Sequence, residues 1–311
     1  MFENVEDYLK QLRKDLRGSD PATVQDALSD AEEHLRTALE QARSEAPDVS
    51  EKDALEPILV AYGTPADVAA AYREIEERTH PALAPAVRPA APTTETTAAA
   101  GRPGAGRSLA SRFFGVFVDP RAYAALFYMF FSLITGILYF TWAVTGLSLS
   151  LGLIVLIIGV PFIIVFLLSV QGIALVEGRM VEALLGVRMP RRPLFAGRHL
   201  GYWDRLKTLF TDKVTWTTLV YLLLQLPLGI LYFTVFITML AFGVAGILYP
   251  FAYGLFDVPL IQVDHRLFYP PVWLLPLIVL VGVLWILVTM HAGKWVGRLH
   301  GSYAKLLLVR D

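Results

Sequence analysis

Three small groups of residues carry the types that could do chemistry. The stretch GVAGILYPFAYGLFDVPLIQVDHRLFYPP sets Asp257, Asp264, His265 and Arg266 among aromatics and prolines. Carboxylates, an imidazole and a guanidinium so placed suit a ligand pocket or a partner contact. The same residues also suit a lid over helix ends, with Asp264 paired to Arg266. In DAEEHL, Glu32, Glu33 and His34 offer metal-ligand atoms or a phosphoacceptor imidazole. Adjacent helical positions point in different directions, and no HExxH or glycine-rich nucleotide loop accompanies them. A solvated helix face is therefore expected there. The third group is basic: Arg179, Arg188, Arg191, Arg192 and Arg198 surround the turn-forming MPRRP. It fits anionic headgroups, at about 1 kcal/mol per basic residue near the surface, or an acidic domain. With no cysteine in the chain, thiolate catalysis, thiolate metal sites and disulfides are excluded. No convergent catalytic set is visible, so no catalytic residue, metal or cofactor, and no enzyme, is expected.

The elements that must position these residues are set by an apolar composition. Of 311 residues, 55% are hydrophobic and 18% charged, where soluble domains carry about 25% charged. The charge is divided: residues 1–80 hold 19 Asp/Glu against 9 Lys/Arg, and the remainder 9 against 18. The acidic, amphipathic MFENVEDYLK lacks an apolar core and is not expected to act as a secretory signal. Spans are expected at about 123–145, 149–176, 218–242 and 273–290, with TGLS as the first turn and Pro161 kinking the second span. Lys and Arg crowd the connection 177–213 and the C-terminal tail, placing both termini in the cytoplasm of a bacterial plasma membrane. The span centres carry no ionisable group. Gln171 and Gln225 are expected to hydrogen-bond between helices, and Glu177 and His291 to lie near the ends, within reach of water and headgroups. That pattern disfavours a proton or ion pump.

The membrane part carries a repeat. GILYFT occurs at Gly136 and again at Gly229, an offset of 93 residues. The same offset pairs Arg112 with Arg205, Phe117 with Phe210, Asp119 with Asp212, Tyr128 with Tyr221 and Leu133 with Leu226. Gly178, Arg179 and Val181 correspond to Gly293, Lys294 and Val296 at a longer offset, so the second copy holds an insertion. Two copies of one helical hairpin are expected, about 108–186 and 201–301, in one orientation. Each opens on an amphipathic stretch, SLASRFFGVF or GYWDRLKTLF, suited to the headgroup layer. Asp119-Pro120 and Thr211-Asp212 are expected to cap the first helices. Gly152, Gly159, Gly243 and Gly246 are expected to permit close helix packing.

Ahead of this part, residues 1–78 read as four short helices. Val5, Tyr8, Leu9, Leu12 and Leu16 recur at helical spacing, as do Val24, Leu28, Ala31, Leu35 and Leu39. Ser50 opens a third helix, and Thr64-Pro65 a fourth with Val68, Ala71, Tyr72 and Ile75 on its apolar face. Their acid-rich outer faces are expected to be solvated. Residues 79–107, rich in Pro, Ala, Thr and Gly, are expected to be a disordered linker. The fold class is all-α: a small helical domain and a four-span membrane part.

Two resemblances follow from these motifs. YLKQLRKDLRG, DALSDAEEHLRTAL and YGTPADVAAAYRE resemble the HAAS (DUF1700-type) helical signalling domain, through Leu12-Arg13, Glu32-Glu33-His34, Gly63, Pro65, Ala69 and Tyr72. The resemblance implies a signalling role and, as a partner, a PadR-like transcription regulator or another cytoplasmic signalling protein. DPRAYAALFY, GILYFTWAVTGLSLSLG, IIGVPFI and EGRMVEALLGV resemble the four-helix membrane sensor domain of actinobacterial-type histidine kinases. Here Gly178 separates the Glu177 and Arg179 that are adjacent in that family. No kinase segment follows, so kinase activity is not implied. The expected function is non-enzymatic membrane signalling, coupling a membrane or outer-face stimulus to the cytoplasmic domain. The alternatives are a transporter or channel component, or a lipid-binding scaffold. The bilayer and a further copy of the chain are the other partners to be considered; direct binding of nucleic acid is not expected.

Overall fold

The computed structural model describes residues 2–46, 49–78, 113–153, 159–191, 207, 210–263 and 266–309. The expected linker and both amphipathic stretches lie largely outside these residues. Contacts divide the chain into two compact units. One comprises Met1–Ala84, Leu138–Leu224 and His300–Asp311, the other Pro85–Ile137 and Gln225–Leu299.

In the first unit, α1 (Val5–Asp15), α2 (Pro21–Glu45), α3 (Glu51–Tyr62) and α4 (Pro65–Arg78) start where capping chemistry dictates. Asn4, Asp20, Ser50 and Thr64 accept from the amides of Asp7, Ala22, Asp53 and Asp67 at 2.9, 2.9, 3.2 and 3.3 Å. Each satisfies an amide the helix cannot. Gly63, at φ 107°, ends α3 in the left-handed region that favours glycine. The core joins Val5, Tyr8, Leu12 and Leu16 to Ala27, Ala31, Leu35, Leu39, Leu55 and Ala69. Tyr8 Oη donates to the Gly63 carbonyl at 3.0 Å, and Tyr72 Oη to Asp30 at 2.7 Å. In α4 the buried face is Ala69 with Val68 and Tyr72. Ile75, expected inside, is exposed, because the helix turns Ala69 inward instead.

Four helices are long and apolar enough to cross a membrane. They are α5 (Pro120–Leu153), α6 (Gly159–Leu185), α7 (Lys213–Phe256) and α8 (Leu275–Leu308). All run past the expected bounds. TGLS is helical within α5, since nothing in Thr145–Ser148 stops a helix whose sides face lipid. The described part of α6 begins at Gly159 and includes Pro161. The 44 residues of α7 would rise about 66 Å, and the first part of the inserted segment belongs to it. Then β1 (Ile261–Val263) and β2 (Arg266–Phe268) pair antiparallel, a small addition to the all-α expectation.

In the second unit, α5 and α7 cross reciprocally at the repeated GILYFT. A Cβ on Gly136 would stand 2.7 Å from the Gln225 carbonyl oxygen. One on Gly229 would stand 2.4 Å from that of Ser132. The partners, like the glycines, are 93 residues apart, so each copy presents the same glycine to the same turn of the other. Gly243, Gly246 and Gly282 give α7 and α8 a similar approach, whereas Gly152 faces open space. Lys294 pairs with Asp119. Burial pushes the Asp119 carboxyl up, but Lys294 and the Arg121 amide outweigh it and hold it below the usual carboxylate range.

Gly136→Ala and Gly229→Ala should each cost about 1–3 kcal/mol, because the facing carbonyl cannot move aside. Gly152→Ala should stay within about 0.5 kcal/mol. Thermal unfolding in detergent, followed by helical circular dichroism, measures all three. Because the folded-state pKa of Asp119 is depressed, its contribution is present above the ordinary pKa of about 4. That contribution is lost as pH falls through the depressed value. Acid titration of Asp119→Asn should lack this loss.

Candidate functional site

The strongest concentration of polar groups lies in the first unit, inside the membrane helices. Glu177 on α6 is 0% exposed. It was expected near water and headgroups; instead two tyrosines from neighbouring helices cover it. Tyr139 on α5 donates to Glu177 Oε2 at 3.0 Å, and Tyr221 on α7 donates to Oε1 at 2.7 Å. His300 Nε2 on α8 stands 3.1 Å from Tyr221 Oη. Tyr221 has one hydroxyl proton, and Glu177 takes it. His300 Nε2–H therefore donates to Tyr221, which fixes the ring's protonation on that nitrogen. Tyr303 stacks on Tyr221 with centroids 5.4 Å apart. One residue from each of the four membrane helices thus joins a single chain of hydrogen bonds.

A buried carboxylate this far from water is tolerated only when its oxygens are engaged. The next two residues of α6 point in other directions and make contacts of their own. Gly178 leaves room for Met189, whose Cβ would be 3.4 Å from a Cβ at that position. Arg179 Nη1 pairs with Glu182 at 2.8 Å, and its Nη2 donates to the Arg191 carbonyl at 3.2 Å. Glu182 also pairs with Arg191 Nη2 at 3.2 Å. Gly186, at φ 70°, ends α6 and lets the segment fold back. Val187 then packs on Gly301, where a Cβ would clash at 2.4 Å.

This clasped segment meets the helical domain. The Arg191 backbone amide donates to Asp26 on α2 at 2.6 Å. Lys305 on α8 pairs with Asp20, the residue that caps α2. Ala22, Gln25, Asp26 and Ser29 form one stripe along α2, and all are buried. Gln25 lines a small cavity with Gln171, Gly178, Met189, Pro190 and Val214. This face was expected to be solvated. It is covered because the membrane part supplies partners for its acids.

The remaining candidates are more scattered. Arg188 Nε and Nη1 are enclosed with no hydrogen-bond partner among the described residues; Arg192 and Arg198 lie outside the described residues. Of the outer-face group, Asp264 and His265 lie outside them too, and Arg266 is described only through its backbone in β2. Asp257 is exposed, at φ 51°, just past α7, and its amide donates to the Tyr253 carbonyl. Of these four residues, Asp257 alone has a described side chain. His34 stacks on Tyr62 with centroids 4.8 Å apart. No metal-binding cluster occurs among the described residues. Gln225, expected to bridge helices, is 0% exposed with no partner for either amide atom among the described residues. His300 was not singled out in the sequence, because nothing local distinguishes it from the other histidines near helix ends.

Hydrogen bonds to charged groups are worth about 1.5–3 kcal/mol. Tyr139→Phe should lower stability in lipid or detergent by that amount. Tyr221→Phe should cost more, because it removes the contacts to Glu177 and to His300 together. A larger cost for Tyr139→Phe in equilibrium unfolding would contradict this network.

Comparison with known families agrees with both parts of the chain. The HAAS family model matches residues 7–71. The Sensor family model, described as "Putative sensor", matches residues 128–308. No curated protein and no solved structure matches the chain. The four apolar helices make it a membrane protein, and the two matches fit a sensor and signalling role. With its match spanning more than half of the sequence, the chain belongs to the Sensor family, and it carries a HAAS domain ahead of the membrane helices.

Proposed function

We propose that this protein is a non-enzymatic membrane signalling device that keeps its HAAS domain seated against the inner ends of its own helices. A change in helix packing releases that domain to a cytoplasmic partner. The carrying observation is the path along α6. Glu177 is held in the intramembrane network, Gly178 seats Met189, and Arg179 clasps Arg191, whose amide engages Asp26. A rotation of α6 moves all three contacts together, because consecutive residues on a helix cannot move independently.

The concentration of Lys and Arg in 177–213 and in the C-terminal tail supports a cytoplasmic location for both termini. It also supports a bacterial plasma membrane as the site. Arg179, Arg188 and Arg191 then stand where anionic headgroups and the acidic HAAS domain compete for them. The partner of the released domain is a PadR-like transcription regulator or another soluble signalling protein. Asp257, Asp264, His265 and Arg266 would lie at the outer face, at the end of the longest helix, as a place where a stimulus enters.

A protease site inserted between Ala99 and Ala100 allows the domain to be cut free in membrane vesicles. The seated domain should remain with the sedimented membranes after cleavage. Asp26→Ala and Lys305→Ala should each release at least three times as much of it, and a thinner bilayer should also change retention. Complete release from the unaltered protein in every lipid would contradict the reading.

A further inference from the structure

The two hairpin copies repeat their end contacts with one exception, and the exception adjoins the seated domain. Asp119 and Asp212 each cap the helix that follows. The Arg121 amide donates to Asp119 Oδ1 at 3.1 Å, and the Val214 amide to Asp212 Oδ1 at 3.3 Å. Tyr123 Oη donates to the Phe117 carbonyl at 2.9 Å, and Trp216 Nε1 to the Phe210 carbonyl at 2.8 Å. All four of these pairings recur at the 93-residue offset.

The basic residue after the glycine of each second helix is Arg179 in one copy and Lys294 in the other. Lys294 pairs with Asp119, the cap of the opposite copy's first helix. The same relation would pair Arg179 with Asp212. That pair is absent: Arg179 turns to Glu182 and to the Arg191 carbonyl. The distance does not forbid it. Gly178 and Val214 line one cavity, so α6 and α7 approach each other here, with Arg179 next after Gly178 on α6 and Asp212 two residues before Val214.

We propose that Arg179 is a two-position latch. On Glu182 and Arg191 it holds the segment that seats the HAAS domain. On Asp212 it completes the pairing seen for Lys294 and lets that segment go. The proposal rests on the seating described above and names how it is regulated. The exchange strands no carboxylate, because Glu182 keeps Arg191 Nη2 at 3.2 Å when Arg179 leaves. Both positions offer a guanidinium–carboxylate pair, so the difference between them is small and helix packing can tip it.

The tipping element is in place. Glu177 lies two residues before Arg179 on α6, and it is tied to Tyr221 on α7, the helix that Asp212 caps. Sliding or rotation of α6 against α7 changes the Glu177–Tyr221 contact and the Arg179–Asp212 separation together. Bilayer thickness is one stimulus that imposes such a movement.

Because the chain has no cysteine, Gln25→Cys introduces a single thiol at the covered face of α2. Its labelling rate in the full chain in lipid nanodiscs reads how often the domain lifts. Adding Asp212→Asn removes the second position while keeping a capping side chain, and labelling should slow by three-fold or more. Adding Glu182→Gln should speed labelling by a similar factor, and this gain should shrink when Asp212→Asn is also present. A protected thiol whose rate is unchanged by Asp212→Asn would overturn the latch and leave the seating intact. A Glu182→Gln gain of equal size with and without Asp212 would overturn it as well. A thiol that reacts in the reference protein as fast as in denaturant would overturn the seating, and the latch with it.

Discussion

One carboxylate organises the first unit of this protein. Glu177 lies in helix α6 with no exposure to solvent, and its acceptance of two tyrosine hydroxyls makes that placement tolerable. A buried ionisable group without partners costs far more than one hydrogen bond returns, so the tyrosines of α5 and α7 favour one rotation of α6 over others. That rotation sets where Gly178 and Arg179 point and where the segment from Gly186 to Arg191 folds back. Seating of the HAAS domain on Arg191 and Lys305 is a consequence of where a single glutamate is allowed to sit.

The contacts that recur 93 residues apart are those of backbone and cap. They comprise the aspartate at each helix start, the aromatic that reaches back to a carbonyl, and the glycine at the crossing. The contacts that do not recur are polar. Ala292 occupies the second-copy position equivalent to Glu177, and Leu185 the first-copy position equivalent to His300. The backbone, cap and crossing contacts are thus shared between the copies, whereas the Glu177 and His300 positions of the network are not.

Much of this fold was legible in the residues. Apolar length announced four spans, and Ser50 and Thr64 were read at helix starts through simple amide chemistry, while the cap at Asn4 was not. GILYFT marked equivalent points on the first helix of each copy, and the crossing glycines Gly136 and Gly229 lie there. Three things were hidden. Helix ends were misjudged because TGLS and GVAGILYPFAYGLF lack a residue able to stop a helix in lipid. The stripe of Ala22, Gln25, Asp26 and Ser29 looked solvated because its cover comes from residues more than 160 positions away, as the 165-residue separation of Asp26 and Arg191 shows. The network was missed because its members come from four helices, and no spacing rule relates Tyr139, Glu177, Tyr221 and His300. Two members were already marked by the repeat: Tyr139 in GILYFT, and Tyr221 as the counterpart of Tyr128.

The dependence of domain seating on the buried carboxylate is open to a direct measurement. Hydrogen–deuterium exchange of α2 residues 22–29, in membranes, should quicken several-fold in Glu177→Gln, with α1 and α3 of the same domain unchanged. Exchange in those residues identical to that of the unaltered protein would show that Glu177 does not govern the seating and would contradict this account.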